Sequence, residues 1–240
     1  MMKVLWWSVL VVLVAGATAC GREQSKHTKA NAERMIRAAE GTLAPVYAPL
    51  AEEIAEKLTL ENREGIGVDL GSGPGTLIVE LCKRTKLHWI NADINPHFFP
   101  YFFSKAEAGG YGGRVSAICA DACALPFRDG FADVVVSRGS LHFWPDLQKG
   151  LAEIHRVLKP GGAAYIGRGF PQRLPPETAK QIRGKQGKAM KYDPAETARQ
   201  LDTIMQALGI KNYRVDRPRA DNEEGINYGV WLQFRKAKMR

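Results

Sequence analysis

Residues 66–75 read Ile66-Gly67-Val68-Asp69-Leu70-Gly71-Ser72-Gly73-Pro74-Gly75, and Thr76 to Lys83 continues as an apolar, helix-compatible run. A short buried strand that enters a glycine-rich turn and leaves it as a helix is the opening unit of a doubly wound α/β sheet. In such sheets a nucleotide-like ligand sits over the carboxyl ends of the strands, near the topological switch point. Glycine is needed there because the chain must turn sharply and approach the ligand with no Cβ in the way. The spacing narrows the ligand. A dinucleotide fingerprint, G-x-G-x-x-G, requires its third glycine at position 76, which is Thr76. A nicotinamide-dependent oxidoreductase is therefore disfavoured.

Working outward, residues 30–60 are helical in pattern, interrupted near Gly41-Thr42 and by Pro45 and Pro49, with Leu50, Ile54 and Leu58 at spacing four. Leu87 to Ile94 and Val115 to Ala120 read as the second and third strands. Ala132 to Ser137 is a fully apolar fourth strand, the type buried under helices on both faces. Leu147 to Leu158 is a helix with Leu151, Ile154, Val157 and Leu158 on one side. Lys159-Pro160-Gly161-Gly162 stops it, and Ala163 to Gly167 begins a fifth strand. Asp193-Pro194-Ala195-Glu196 opens a last helix with a cap, a first-turn proline and a capping-box acid. Tyr213 to Val215 and Val230 to Phe234 form an antiparallel pair at one edge. The spacing predicts α/β architecture: a doubly wound, Rossmann-like, mostly parallel seven-stranded sheet with an antiparallel edge strand and helices on both faces. One domain is expected over residues 27–240, with residues 170–191 as a basic loop or lid, because prolines and lysines crowd that stretch.

Four blocks in order carry a family resemblance. They are Asp69-Leu70-Gly71-Ser72-Gly73-Pro74-Gly75; Asn91-Ala92-Asp93-Ile94; Cys119-Ala120-Asp121-Ala122-Cys123-Ala124-Leu125-Pro126-Phe127; and Glu153-Ile154-His155-Arg156-Val157-Leu158-Lys159-Pro160-Gly161-Gly162. From about Tyr47 to Gly169 the chain resembles the class I S-adenosylmethionine-dependent methyltransferases, whose first motif is D/E-x-G-x-G-x-G. The resemblance implies S-adenosyl-L-methionine as cofactor. Its implied contacts are Asp69, Gly71, Ser72, Gly73 and Gly75 in the first motif, and Asp93 and Ile94 at the end of strand two. They continue with Asp121 and Ala122 at the adenine and with Ser137 after strand four; Tyr47 either walls the cofactor or substrate pocket or packs in the core. A carboxylate at Asp93 suits a ribose diol. Asp121 would accept the adenine amino group, and the Ala122 amide would meet a ring nitrogen.

Methyl transfer asks little of the protein beyond alignment and desolvation, so no catalytic side chain need be visible. The candidates follow strand four, in Ser137-Arg138-Gly139-Ser140-Leu141-His142-Phe143-Trp144. His142 is read either as a general base or as a structural histidine at a helix start. Arg138 either holds an anionic substrate or makes a salt bridge. Trp144 either walls a pocket or packs in the core. His97-Phe98-Phe99-Pro100-Tyr101-Phe102-Phe103 carries more aromatics than one helix face buries. They pack locally, line an aromatic substrate pocket or face lipid. No metal is expected: Cys119 and Cys123 lack companion ligands, and both are read as small core residues.

Val4 to Ala19 is almost wholly apolar, follows Lys3, and precedes Cys20 with Ala17-Thr18-Ala19 as a cleavage-like site. Residues 1–26 are therefore expected to be a signal or lipoprotein-like leader, or an uncleaved anchor. Basic residues cluster after the apolar run (Arg22, Lys26, Lys29, Arg34, Arg37), and that asymmetry favours the cytoplasmic face, where the cofactor is made. The net charge of +9 points to acidic partners. The expected partners are a small-molecule or lipid acceptor, anionic in character, and a membrane surface reached through the N-terminus. Nucleic acid is disfavoured because no block for a flipped base and no RNA-binding module is present. An S-adenosylmethionine-binding scaffold without catalysis is the alternative from another functional class.

Overall fold

The computed structural model describes residues 27–186, 193–220 and 225–238. The expected leader, with Cys20, and the basic Lys188, Lys191 and Arg240 lie outside the described residues.

Two helices precede the sheet, α1 (Lys29–Glu40) and α2 (Ala44–Leu58). Thr28 caps α1 by accepting from the Asn31 amide, and Gly41 ends it. Pro45 sits in the first turn of α2, where its missing N–H leaves no bond unmade; Pro49 is carried inside the helix. Leu50, Ile54 and Leu58 are fully buried, as their spacing predicts. The body then alternates: β1 (Ile66–Leu70), α3 (Thr76–Cys82), β2 (His88–Asp93), α4 (Phe99–Ala108), β3 (Val115–Cys119), β4 (Ala132–Arg138), α5 (Leu147–Val157) and β5 (Leu158–Gly169). It ends with α6 (Pro176–Gln186), α7 (Pro194–Ala207), β6 (Tyr213–Asp216) and β7 (Gly229–Arg235). All seven strands join one sheet in the order β3-β2-β1-β4-β5-β7-β6. β1 to β5 run parallel, and β7 is antiparallel to both β5 and β6. The doubly wound expectation holds, with β7 inserted between β5 and the edge strand. Winding reverses between β1 and β4, so the switch point lies where Gly71 to Gly75 leave β1.

Register divides the side chains between two faces. Asp69 pairs with Asn91 and with Val136, and Arg138 pairs with Gly167, so all project to one side. That side packs Trp89, Val134, Val136 and Tyr165 under Tyr47, Leu50 and Ile54 of α2 and Leu77 and Leu81 of α3. The other side packs Val68, Val135 and Ile166 against α5 (Leu151, Ile154) and α7 (Leu201, Met205).

One expectation about the fold changes. The basic loop foreseen over 170–191 contains helix α6. Pro176 takes the first helical position, where proline is tolerated, and Ala179 and Ile182 fall on one face and are buried with Leu174, Phe170 and Tyr228. Each fully buried large aliphatic of this kind contributes about 1.5–3 kcal/mol, enough to order a helix of weak intrinsic amphipathicity. In the aromatic run at α4, Phe98 and Phe102 are buried and Phe99, Tyr101 and Phe103 half-buried, as local packing requires. No helix among the described residues is long and apolar enough to cross a membrane.

Candidate functional site

The glycine turn is built by two different pressures. Gly71, Gly73 and Gly75 all have positive φ (66°, 56° and 70°). A Cβ on Gly71 would lie 2.3 Å from Ser140 Cβ, and one on Gly75 would lie 2.1 Å from the Phe102 ring. Those two glycines are demanded by packing. At Gly73 the nearest atoms to such a Cβ, from Phe98 and Met35, are 3.8–4.0 Å away, so packing does not demand a glycine there. Side chains then hold the turn. The Gly73 amide donates to Asp93 Oδ2 at 2.7 Å, Asn91 Nδ2 donates to the Gly73 carbonyl at 3.1 Å, and Ser72 Oγ donates to Asp69 Oδ2 at 2.8 Å.

Asp93 ends β2 buried, accepting from the Asn95 amide at Oδ1 and from Gly73 at Oδ2. Each oxygen keeps one lone pair, two acceptor sites side by side. Burial pushes its carboxyl above the usual range. Ile94, next in the chain, is one of three exposed large hydrophobics among the described residues, with Met35 of α1 and Phe143. The Ala120 amide donates to the Asp93 carbonyl, which draws the turn at Asp121 and Ala122 beside Ile94. Asp121 is exposed, and its Oδ1 accepts from the Cys123 amide at 2.8 Å. The fourth block braces this turn: Glu153 accepts from the Leu125 amide, and Arg156 donates to the Leu125 and Phe127 carbonyls. The two cysteines bind carbonyls, Cys119 that of Ile94 and Cys123 that of Asp146; Cys119 is exposed, against the core role foreseen for it.

Behind the turn, on the α2 face, Asp69 Oδ1, Asn91 Oδ1 and Arg138 Nε are all buried without a hydrogen-bond partner. Burial, with Asp93 nearby, pushes the Asp69 carboxyl up to about 7, against the pull of Ser72 and Arg138. The Arg138 guanidinium lies over the Tyr47 ring at 5.2 Å. A buried acceptor and a buried donor left unmatched on one face suit a ligand with a cationic and an anionic end.

Beyond β4, Ser137 Oγ and Ser140 Oγ are 2.6 Å apart, and Ser140 Oγ donates to the Leu70 carbonyl and accepts from Trp144 Nε1 at 3.2 Å. His142 stands in a 3₁₀ turn, Leu141–Phe143, with its ring 3.9 Å from that of Phe143. His142 is exposed; desolvation where its ring meets neighbouring protein, then the charge of Arg168, pushes its pKa down to about 4. The sequence-predicted residues thus converge in two groups, Asp69 to Gly75 with Asp93, Ile94, Asp121, Ala122, Arg138 and Tyr47, and His142 on the far side of Ser140. Sequence reasoning quoted Asn91 and Ser140 without giving either a role, and it missed the packing of α1 beside the turn, where Met35 lies near Gly73 and Asn95 Nδ2 donates to the Thr28 carbonyl. Asn91 did leave a signal: a polar residue between buried strand positions.

Residues 68–166 match the family described as "Methyltransferase domain". The chain is 37% identical over 118 residues to the chloroplastic 2-methyl-6-phytyl-1,4-hydroquinone methyltransferase of Spinacia oleracea, covering 48% of this chain and 33% of that protein. It is 38% identical over 113 residues to the demethylmenaquinone methyltransferase of Thermus thermophilus, covering 47% and 50%. The chain thus spans a third to a half of the length of these curated relatives. A solved structure from Methanococcus maripaludis, provisionally assigned as an S-adenosyl-L-methionine-dependent methyltransferase, superposes with a TM-score of 0.78 at 25% identity, covering 92% of this chain and 99% of that one. The shared architecture therefore extends well outside residues 68–166.

Proposed function

We propose that this chain is an S-adenosylmethionine-dependent methyltransferase acting on a small hydroxylated ring or a lipid that carries one. The observation that supports the reading most is the set of unmatched buried atoms beneath an ordered glycine turn. The cofactor's amino-acid end has an ammonium for Asp69 and a carboxylate for Arg138. Its ribose diol matches the two free acceptor positions of Asp93, and its adenine the Ile94 side chain and the Asp121–Ala122 turn. Gly73 leaves the backbone bare where the ligand passes. When bound, the cofactor supplies a sulfonium-activated methyl group.

The chain's own work is then to position and dry the acceptor. Ser137 and Ser140 set the floor between the turn and the residues after β4. His142, held neutral, is a poor proton acceptor at physiological pH, so its role is to accept a hydrogen bond from an acceptor hydroxyl and orient it. Arg138 serves the cofactor, in place of the anion-holding role first considered for it. The ring acceptor is suggested by the names of the curated relatives, which act on a hydroquinone and on demethylmenaquinone. Those names disfavour a scaffold without turnover and an RNA substrate. Calorimetry with S-adenosylhomocysteine, and methyl release from labelled S-adenosylmethionine over a panel of hydroxylated rings, test the reading. Micromolar binding and acceptor-dependent turnover are expected; no heat with the cofactor product sinks it.

We further propose that residues 1–26 tether the domain to a membrane with the domain on the cytoplasmic side. The apolar run and the basic residues that follow it support this. A C-terminal reporter active only outside the cytoplasm overturns it.

A further inference from the structure

Beyond the carboxyl end of β4, on the face covered by α5 and α7, a cavity of about 240 Å³ opens between Leu141, His142, Trp144 and Leu147 and the α7 residues Thr197 and Gln200. Arg168, from the end of β5, also lines it and is engaged in contacts of its own. Trp144 is held there in a way that core packing does not explain. Trp89 and Trp231 are fully buried, and their indole N–H groups donate to Thr85 Oγ1 and to the Phe170 carbonyl. Trp144 is only half-buried, yet it is fixed twice. Its Nε1 donates to Ser140 Oγ at 3.2 Å, and Ser140 Oγ donates in turn at 3.1 Å to the carbonyl of Leu70, the last residue of β1 before the glycine turn. Its six-membered ring rests where a side chain on Gly150 would stand: a Cβ there would lie 2.6 Å from Cε3 and 3.1 Å from Cζ3. Gly150 is inside α5, where glycine weakens a helix relative to alanine, and it leaves the indole its seat.

Resting on the methyl-transfer reading above, we propose that this cavity is the acceptor site and that Trp144 is its specificity-determining residue, a fixed platform that selects a flat aromatic ring over a saturated one bearing the same hydroxyls. Offset stacking on an indole needs a partner with a π-face. A wall already held in place loses no rotamer freedom when that partner arrives. The volume has room for one substituted ring, and Leu141 and Leu147 flank it with apolar surface. His142 lines the same cavity, so the imidazole that orients the acceptor hydroxyl and the indole that takes the ring face serve one ligand. Ser140 joins this platform to the cofactor side. Its Oγ holds the indole, and its Cβ fills the space above Gly71, so the plane of the acceptor is set from the turn that holds the donor.

The test is calorimetry on the full chain saturated with S-adenosylhomocysteine, titrated with catechol and, separately, with trans-cyclohexane-1,2-diol, which keeps both hydroxyls and lacks the flat face. Catechol is expected to bind about tenfold more tightly, the scale of one aromatic stack. Trp144→Leu removes that preference, and Trp144→Phe keeps part of it. Gly150→Ala changes no side chain of the cavity but takes the seat of the indole, and it lowers the preference as well. All three variants retain wild-type affinity for S-adenosylhomocysteine, which shows that they are folded. Equal affinity for the two diols in the wild-type chain, a preference that survives Trp144→Leu, or a full preference in Gly150→Ala overturns the proposal. Failure of the wild-type chain to bind S-adenosylhomocysteine defeats the methyltransferase reading instead, and the same two titrations, run without it, still decide whether Trp144 selects a flat ring.

Discussion

The sheet ends in a glycine-turn candidate site on one face and a cavity on the other, and the two are built differently. On the α2 face the candidate site is the Gly71–Gly75 backbone, held from behind by the buried side chains of Asn91 and Asp93, while Ser72 of the turn donates to Asp69. On the α7 face the cavity is lined by side chains from residues 141–200, brought together from the loop after β4, the end of β5 and helix α7. A backbone-built site tolerates no Cβ, so its chemistry must appear as glycines at fixed spacing. A side-chain-built site accepts any residue of suitable reach, and its parts lie far apart in the chain. The first is stitched and buried; the second is open and adjustable.

The largest effect that could break this comparison lies within the turn itself. Gly75→Ala places a methyl group 2.1 Å from Phe102 in a left-handed conformation. Left-handed strain of about 1–2 kcal/mol and overpacking of about 1–3 kcal/mol together predict a loss near 3 kcal/mol in urea denaturation. Gly73→Ala meets the same backbone strain without the clash. It should lose only about 1 kcal/mol of stability while weakening S-adenosylhomocysteine binding at least tenfold. Equal stability losses, or an unchanged affinity in the Gly73 variant, would show that the turn is not divided between packing and binding.

Asp69 provides a smaller effect with a sign. Its carboxyl titrates near 7 in the folded chain and in the ordinary acidic range when unfolded, so between those values the native state binds the extra proton. Stability contributed by the protonated form is therefore present at low pH, falls as pH rises toward 7, and is flat above it. Binding of the cofactor should run the other way. An ammonium beside Asp69 favours the carboxylate, so complex formation releases a proton near neutrality, and affinity should rise severalfold from pH 6 to pH 8. Calorimetry in buffers of different ionisation enthalpy counts that proton. Asp69→Asn should remove both the proton release and the pH dependence. A release that persists in the variant would move the titrating group elsewhere, with Asp93 the first alternative.

This division also explains what could be read in advance. The run from Ile66 to Gly75 is legible because a buried parallel strand must be apolar and a close-approach turn must be glycine. The order of β1 to β5 follows from it together with the helix stops. Asp93 and Asp121 are legible only as parts of an ordered set, since a lone acid after a strand serves equally as a cap. Helix α6 was hidden because Pro175 and Pro176 read as breakers, whereas Pro176 initiates the helix and Ala179 and Ile182 supply a narrow buried stripe. Arg168 was hidden for a different reason. Its face depends on the register of β4 against β5, which Lys159 to Gly162 blur by continuing as strand where a turn was expected.

Phe143 sharpens the comparison at the smallest scale. Its side chain is 71% exposed, in edge contact with His142 beside the cavity. Burying little, it contributes little to folding, so Phe143→Ser should change stability by no more than about 0.5 kcal/mol. Phe143 adjoins His142 of the cavity lining, so an apolar part of a ligand that leaves past His142 would meet it. Acceptors with a prenyl or alkyl tail should then lose about threefold in affinity in the variant, roughly one buried methylene, while catechol is unaffected. Loss for both acceptors alike would place Phe143 inside the ring site and make His142 its structural neighbour. Loss for neither would mean that the tail, if the acceptor has one, leaves by another path, with Met35 and Ile94 the remaining exposed apolar positions to test.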